Sequence, residues 1–304
     1  MTQAHLSPSS PLRVWWMAAR PRTLPAAVAP VIAASALAFY DGAFRWDAAL
    51  AALLGALFLQ IGANFANDVY DFQKGADTSQ RVGPTRVTQA GLLTPAQVKM
   101  GMAVVFGLAA LCGVYLTLIS GWLVILIGVL AIISAILYTA GPYPLGYNGL
   151  GEVFVYLFFG LAAVAGTYYV HTRTVTLTAV ALSVPIGALV VNILVVNNLR
   201  DIPTDTLSGK RTLAVRFGAD WTRKEYLSLL VLAYLAPLLM TLSGLVSPWI
   251  LLCWLSIPRA VPLMREIATR SGRALNHTLA GTGQLELLYC LLMAVGLTLA
   301  KFLA

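Results

Sequence analysis

The chain has 304 residues, of which 59% are hydrophobic and 11% charged, against about 25% charged in an ordinary soluble domain. That balance excludes a soluble globular protein and a disordered one, and it implies an integral membrane protein with little chain left for a soluble domain. The formal net charge of +8 does not imply a nucleic-acid partner, because the basic residues sort by loop instead of forming one patch.

About 20 apolar residues cross a bilayer as a helix. Nine such spans are expected, at 24–40, 48–66, 100–119, 121–139, 151–170, 175–197, 226–244, 248–264 and 284–303, forming one all-α membrane domain over residues 1–304. Residues 1–23 contain Pro11, Pro21 and three arginines and lack a small-residue cleavage site after a short apolar core, so no removable leader is expected. Arg20 and Arg22 stand at the edge of the first span. Both suit a positive-inside anchor, and Arg22 is the better candidate for facing an anionic ligand.

The second span ends in ANFANDVYDFQKGADT, residues 63–78. At 100° per residue, Asn64, Asn67, Asp68, Asp71 and Lys74 fall within about a third of a helix circumference and share one face. A charge near hydrocarbon costs roughly 2.5–3.5 kcal/mol, so such residues face a cavity, a partner or an ion. The next loop carries Arg81 and Arg86. It reads either as a solvated basic loop or as part of a site that holds a divalent cation and a polyanion together.

The third and fourth spans form a hairpin across Ser120 and Gly121. The fourth ends in LYTAGPYPLGYNGLGE, a neutral region of glycine, proline and tyrosine that reads as a structured turn able to cover a charged site. Tyr138 at its start is either a site aromatic or an interfacial belt residue. Glu152 opens the fifth span as an acid favoured by the helix dipole. His5, His171 and His277 have no partner motif, and Cys112, Cys253 and Cys290 lie in apolar spans without metal spacing, so none is assigned chemistry.

The sixth span ends in VNNLRDIPTDTLSGKRTLAVRFG, where the acidic pattern returns as Asn198, Asp201 and Asp205, followed by Lys210 and Arg211. Pro203 is expected to end or bend this helix, so that Asp205 reaches the site from a loop. The repetition suggests two four-helix halves with a ninth helix added. The eighth span is the weakest: its apolar run from Trp249 to Ile257 is interrupted by Pro258, Arg259 and Pro262, which implies a kinked or partly interfacial segment. The loop MREIATRSGRALNHTLAGTG after it suits the membrane surface, with Asn276 and Thr282 as cap or loop residues.

With nine spans, Arg45, Arg173 and Lys301 are the only members of the 20 Lys and Arg on one side. The positive-inside rule then puts the N-terminus and the loop beginning at Asp68 in the cytoplasm and the C-terminus outside. Two carboxylate clusters at one depth, each trailed by cations, are what a diphosphate bridged by magnesium requires. The apolar walls below would accept a hydrocarbon tail.

At this point NDVYDFQKG and NNLRDIPTD resemble the two acidic motifs of the UbiA superfamily of intramembrane aromatic prenyltransferases. More narrowly, NDVYDFQKGADT, RVGPTRVTQAGLLTP, LYTAGPYPLGYNGLGE and NNLRDIPTDTLSGKRTLAVRFG resemble the branch that prenylates 1,4-dihydroxy-2-naphthoate, and the likeness runs from ARPRTL to LNHTLAGTGQLELL. The resemblance implies nine transmembrane helices around a central cavity open to the cytoplasm, in the cell (inner) membrane. It implies Mg2+ at Asp68, Asp71, Asp201 and Asp205 as catalytic carboxylates, with Asn64 as a further ligand. Substrate contacts would come from Asn64, Asn67, Asn198, Lys74, Arg81, Arg86, Lys210, Arg211 and Arg22, and Tyr138 would shield an allylic cation. Gly75 stands where the superfamily often has a third acid, which puts Asp77 in doubt as a ligand. The implied reaction joins a polyprenyl group from its diphosphate to the aromatic acceptor with loss of carbon dioxide, in menaquinone or phylloquinone synthesis. Another acceptor, such as 4-hydroxybenzoate, homogentisate or a tetrapyrrole, is the alternative within the superfamily. A cation-coupled transporter is the alternative from another class, disfavoured because both clusters sit at one membrane face and not at midplane.

Overall fold

The computed structural model describes residues 10–77 and 81–303, so His5 and Thr78 lie outside the described residues. Among the described residues there is no strand. The helices are α1 (Pro11–Ala19), α2 (Pro25–Tyr40), α3 (Trp46–Gln73), α4 (Pro95–Ser120), α5 (Leu123–Leu137), α6 (Gly151–Val155), α7 (Ala163–Thr172), α8 (Leu177–Leu207), α9 (Leu213–Leu242), α10 (Ile257–Thr269) and α11 (Leu275–Leu303). A π-helical stretch, Tyr156–Ala162, fuses α6 to α7, and a 3-10 stretch, Pro248–Ser256, leads into α10.

Six helical segments are long and apolar enough to cross a bilayer, or seven if α1 and α2, bent by 55°, count as one broken span. The apolar α5 is shorter, at 15 residues. Helix starts follow their sequence signals. Thr94 caps α4 in a reciprocal box with Gln97, ahead of Pro95, and Thr176 and Thr212 accept from Ala179 and Val215 at the starts of α8 and α9.

The α4–α5 hairpin turns at Gly121. The eighth region is irregular, but not where Pro258 and Pro262 stand: the 3-10 stretch covers Pro248–Ser256, and both prolines lie within the regular α10. Pro203, in contrast, does not end its helix: α8 continues to Leu207 and carries Asp205 with it. The hydroxyls of Thr204 and Thr206 bond back to the carbonyls of Asp201 and Ile202, adding side-chain bonds to the last turn of the helix.

The core sits where α8 passes through the bundle. Its residues Leu182, Ile186, Leu189, Val195 and Val196 are fully buried, packed with α2, α9 and α11. α3 pairs with α4 as α8 pairs with α9, so each acidic motif ends a long helix that is held by its successor. α5 buries none of its residues and forms an outer wall.

Candidate active site

The broken entry to the first span is pinned before it reaches the site. Asn64 donates to the carbonyl of Ala19 and to Thr23 Oγ1, both at 3.0 Å, and Gln60 donates to the Thr23 carbonyl at 3.3 Å. Between these anchors Arg20 takes the left-handed conformation, φ 53°, uncommon for a residue with a Cβ. Arg20 and Arg22 both line the main cavity.

That cavity has a volume of about 830 Å³. Its deep walls are apolar, from Val31, Leu116, Val124, Phe158 and Val170, and its polar end gathers Asn64, Asn67, Asp71, Arg81, Arg86, Asn198, Asp201, Asp205 and Lys210. The two acidic motifs therefore face each other. Lys210 stands between them, with Nζ 3.3 Å from Asp71 Oδ1 and 3.8 Å from Asp205 Oδ1. Burial works against the Lys210 charge, but Asp71, Asp205 and Asp77 overcome it and raise its pKa.

Asp71 is the hub. It receives Arg86 Nη2 at 3.1 Å and the Tyr147 hydroxyl at 2.6 Å besides Lys210. Tyr147 comes from the neutral loop after α5, and two ammonium groups lie over its ring, Lys74 Nζ at 5.1 Å and Lys210 Nζ at 4.5 Å. Burial first, and then Asp71, push the Tyr147 hydroxyl pKa up, so it is a fixed donor. Sequence reasoning passed over Tyr147. Its neighbours in a neutral Gly-Pro-Tyr loop were the available signal.

Asp68 behaves differently. It is 2% exposed and lies outside the cavity lining, and its two oxygens accept the backbone N–H groups of Val87 and Thr88 at 3.1 and 3.0 Å. It fixes the loop that delivers Arg86. Asp77 is likewise buried beneath this loop, paired with Arg81 and 3.4 Å from Arg86 Nε. Burial lifts its pKa to about 6, against the opposing pull of Arg81.

Arg200 forks both oxygens of Asp201 at 2.8 and 2.6 Å. Glu152, expected as a helix-start acid favoured by the dipole, is buried and accepts from Asn198 Nδ2 at 2.8 Å, which fixes that amide where it lines the cavity. Tyr138 lines the cavity, and it fits only because Gly146 and Gly151 lack side chains: a Cβ at either would lie 2.6 or 2.8 Å from the tyrosine. Lys74 donates to the Gly141 carbonyl at 2.8 Å and Arg211 is exposed, so both lie outside the lining.

Among the described residues no three Asp, Glu, His or Cys side chains converge as a ready cage for a metal. Magnesium does not need one, since it is held by one or two carboxylates together with substrate phosphates and water. The oxygen donors facing the cavity, Asp71, Asp201, Asp205, Asn67 and Asn198, fit such a hard ion. Arg86 Nη1, buried without an acceptor, fits an anion beside it.

A helical membrane bundle with an acidic and basic mouth over an apolar cavity defines an intramembrane site for an amphiphilic anion. The chain belongs to the UbiA prenyltransferase family, whose model matches residues 27–276. It is 40% identical over 288 residues to the 1,4-dihydroxy-2-naphthoate octaprenyltransferase of Mycobacterium tuberculosis, covering 94% of this chain and 97% of that one. To the Escherichia coli protein of the same name it is 35% identical over 313 residues, covering 100% of both. Its fold matches that of a UbiA homologue from Archaeoglobus fulgidus bound to GPP and Mg2+, with a TM-score of 0.68 at 15% identity over 94% of this chain and 99% of that one.

Proposed function

We propose that this protein transfers a polyprenyl group from an allylic polyprenyl diphosphate to 1,4-dihydroxy-2-naphthoate, with loss of carbon dioxide. The observation that carries the reading is the convergence of both acidic motifs on Lys210 at the mouth of one apolar cavity. The names of the relatives supply the acceptor.

In this reading Asp71, Asp201 and Asp205, with the amide oxygens of Asn67 and Asn198, hold Mg2+. The ion supplies Lewis-acid charge to the diphosphate oxygens. Arg86, Lys210 and Arg81 bind the same oxygens from the protein side and stabilise the leaving diphosphate. Arg20 and Arg22 line the same cavity and orient the anionic parts of the substrates. Lys74 acts by holding Tyr147 and the loop at Gly141. Asp68 acts by holding the loop at Val87 and Thr88. Tyr138 and the apolar wall keep the allylic cation away from water until the electron-rich ring attacks it.

The finer architecture belongs to the same proposal: nine membrane crossings in one domain over 1–304, with the polar mouth and the N-terminus cytoplasmic and the C-terminus outside. The test is a screen of purified protein with prenyl diphosphates of several lengths and a panel of aromatic acceptors, with products identified by mass spectrometry. The expected product is a prenylated naphthalenediol lacking the carboxylate, formed only with Mg2+. Formation of product from 4-hydroxybenzoate but not from the naphthoate would overturn the acceptor assignment.

A further inference from the structure

Among the described residues Arg200 is the largest side chain that is almost wholly buried, at 1% exposure. A charge so placed needs every donor occupied. Besides the fork to Asp201, Nη2 donates to Asn197 Oδ1 at 2.7 Å and Nη1 to Asn276 Oδ1 at 2.8 Å. Asn276, in the first turn of α11, passes the connection on: its Nδ2 donates to the carbonyl of Val82 at 3.2 Å. Gly83, next in the chain, approaches so closely that a Cβ there would stand 2.8 Å from Arg200 Nη2. Three distant parts of the chain thus meet at one guanidinium: the second acidic motif, the start of the last helix and the loop after the first motif.

The loop segment fastened in this way is a partition. Arg81, Pro84 and Thr85 line the main cavity, and the same residues with Val82, Gly83 and Arg273 line a separate polar pocket of about 380 Å³ on the other side. The position of this segment decides whether the reaction cavity joins a wet space.

We propose that Arg200 and Asn276 are positioning residues that latch the Val82–Pro84 segment closed as a water barrier for prenyl transfer, an inference that rests on the function proposed above. Cleavage of the C1–O bond sends its electron pair out with the diphosphate and leaves an allylic cation. With the latch closed, the carboxylate-bearing carbon of the naphthoate bonds to C1, and its bond to the carboxylate breaks to release carbon dioxide and return the electron pair to the ring. With the latch open, a water oxygen bonds to C1 and releases a proton to solvent, giving prenyl alcohol and diphosphate. The ratio of prenyl alcohol to prenylated naphthalene reads the latch, whereas a general loss of folding lowers both products together.

The experiment compares Asn276→Ala and Asn276→Asp with wild type. The aspartate keeps the acceptor for Arg200 and lacks the donor to Val82. Both variants are expected to raise the alcohol-to-product ratio roughly two- to tenfold, the population shift that one lost hydrogen bond brings. Tryptic cleavage after Arg81, followed by mass spectrometry without substrate or metal, is expected to quicken in both. Ratios and cleavage rates equal to wild type in both variants overturn the latch. If neither variant accumulates, Gly83→Ala opens the same contact from the loop side and is held to the same two readouts. Wild-type protein that forms neither product overturns the prenyl-transfer reading itself, and the cleavage rates then report on the latch alone.

Discussion

Removing the carboxylate of Asp71 takes the nearest acceptor from Arg86, Lys210 and the Tyr147 hydroxyl at once, leaving Arg86 with Asp77 at 3.4 Å and Lys210 with Asp205 at 3.8 Å. Weakening the pairing of buried charges is costly, and the same group faces the cavity, so Asp71→Ala is expected to lower kcat/KM by at least about 100-fold while the protein still inserts. Near wild-type, Mg2+-dependent turnover in that variant would sink the site. Tyr147→Phe is subtler. It keeps the ring under the two lysine ammonium groups and loses only the 2.6 Å bond to Asp71, so a loss of about tenfold is expected, one hydrogen bond to a charged group. Asp77 sets a pH dependence. Its folded pKa of about 6 lies above the ordinary aspartate value of 3.8, so the ionised form is disfavoured in the fold, which gains relative stability as pH falls between those values. Protonation near pH 6 releases Arg81 and Arg86, and the KM for the prenyl diphosphate is expected to rise below that pH in wild type and to lose this limb in Asp77→Asn. Helical spacing was enough to put Asp68 and Asp71 on one face. It could not separate them, because the path of the loop decides that Asp68 meets two amides while Asp71 meets the cavity.

At the level of elements, hydropathy located the spans but not the helix ends. α3 runs on to Gln73 and α8 to Leu207, past the expected limits at 66 and 197, because apolarity stops at the bilayer edge while backbone hydrogen bonding does not. That extension is what carries both acidic motifs to one depth. The π-helical stretch left no mark in the periodicity. It places Phe158 and Phe159 on the cavity wall and brings Gly160 against α8, where a Cβ would lie 2.8 Å from the Cα of Gly187. Backbone cannot yield as a side-chain tip can. Gly160→Ala is therefore expected to destabilise the protein by about 1–3 kcal/mol, visible as a lower thermal midpoint in detergent, whereas Gly107→Ala, with open space around it, should leave the midpoint unchanged. Equal midpoints for the two would mean that this close approach is not a structural constraint.

For the whole molecule the count of crossings decides the sidedness of the site, and two segments are critical. α5 has 15 residues, about 22 Å of helix against a hydrocarbon core of about 30 Å, but the exposed Trp122 stands at its start where an interfacial aromatic would anchor a thin span. The second segment is the 3-10 stretch with α10. Its buried residues Ile250, Cys253 and Ser256 recur every third position, and Ala260, Leu263 and Ile267 continue in steps of four, three and four, so one face stays against the bundle through the change of helix type. With rises of about 2.0 and 1.5 Å per residue, the 9 and 13 residues together extend roughly 38 Å, enough to cross. If both segments cross, the count is odd and the two ends of the chain face opposite sides, which agrees with the isolation of Arg45, Arg173 and Lys301 from the other basic residues. Single cysteines at Ser10 and Lys301, in a background with Cys112, Cys253 and Cys290 replaced, are expected to react with a membrane-impermeant maleimide from opposite faces of sealed vesicles. Labelling of both from the same face would remove one crossing, and with it the assignment of the polar mouth to the cytoplasm.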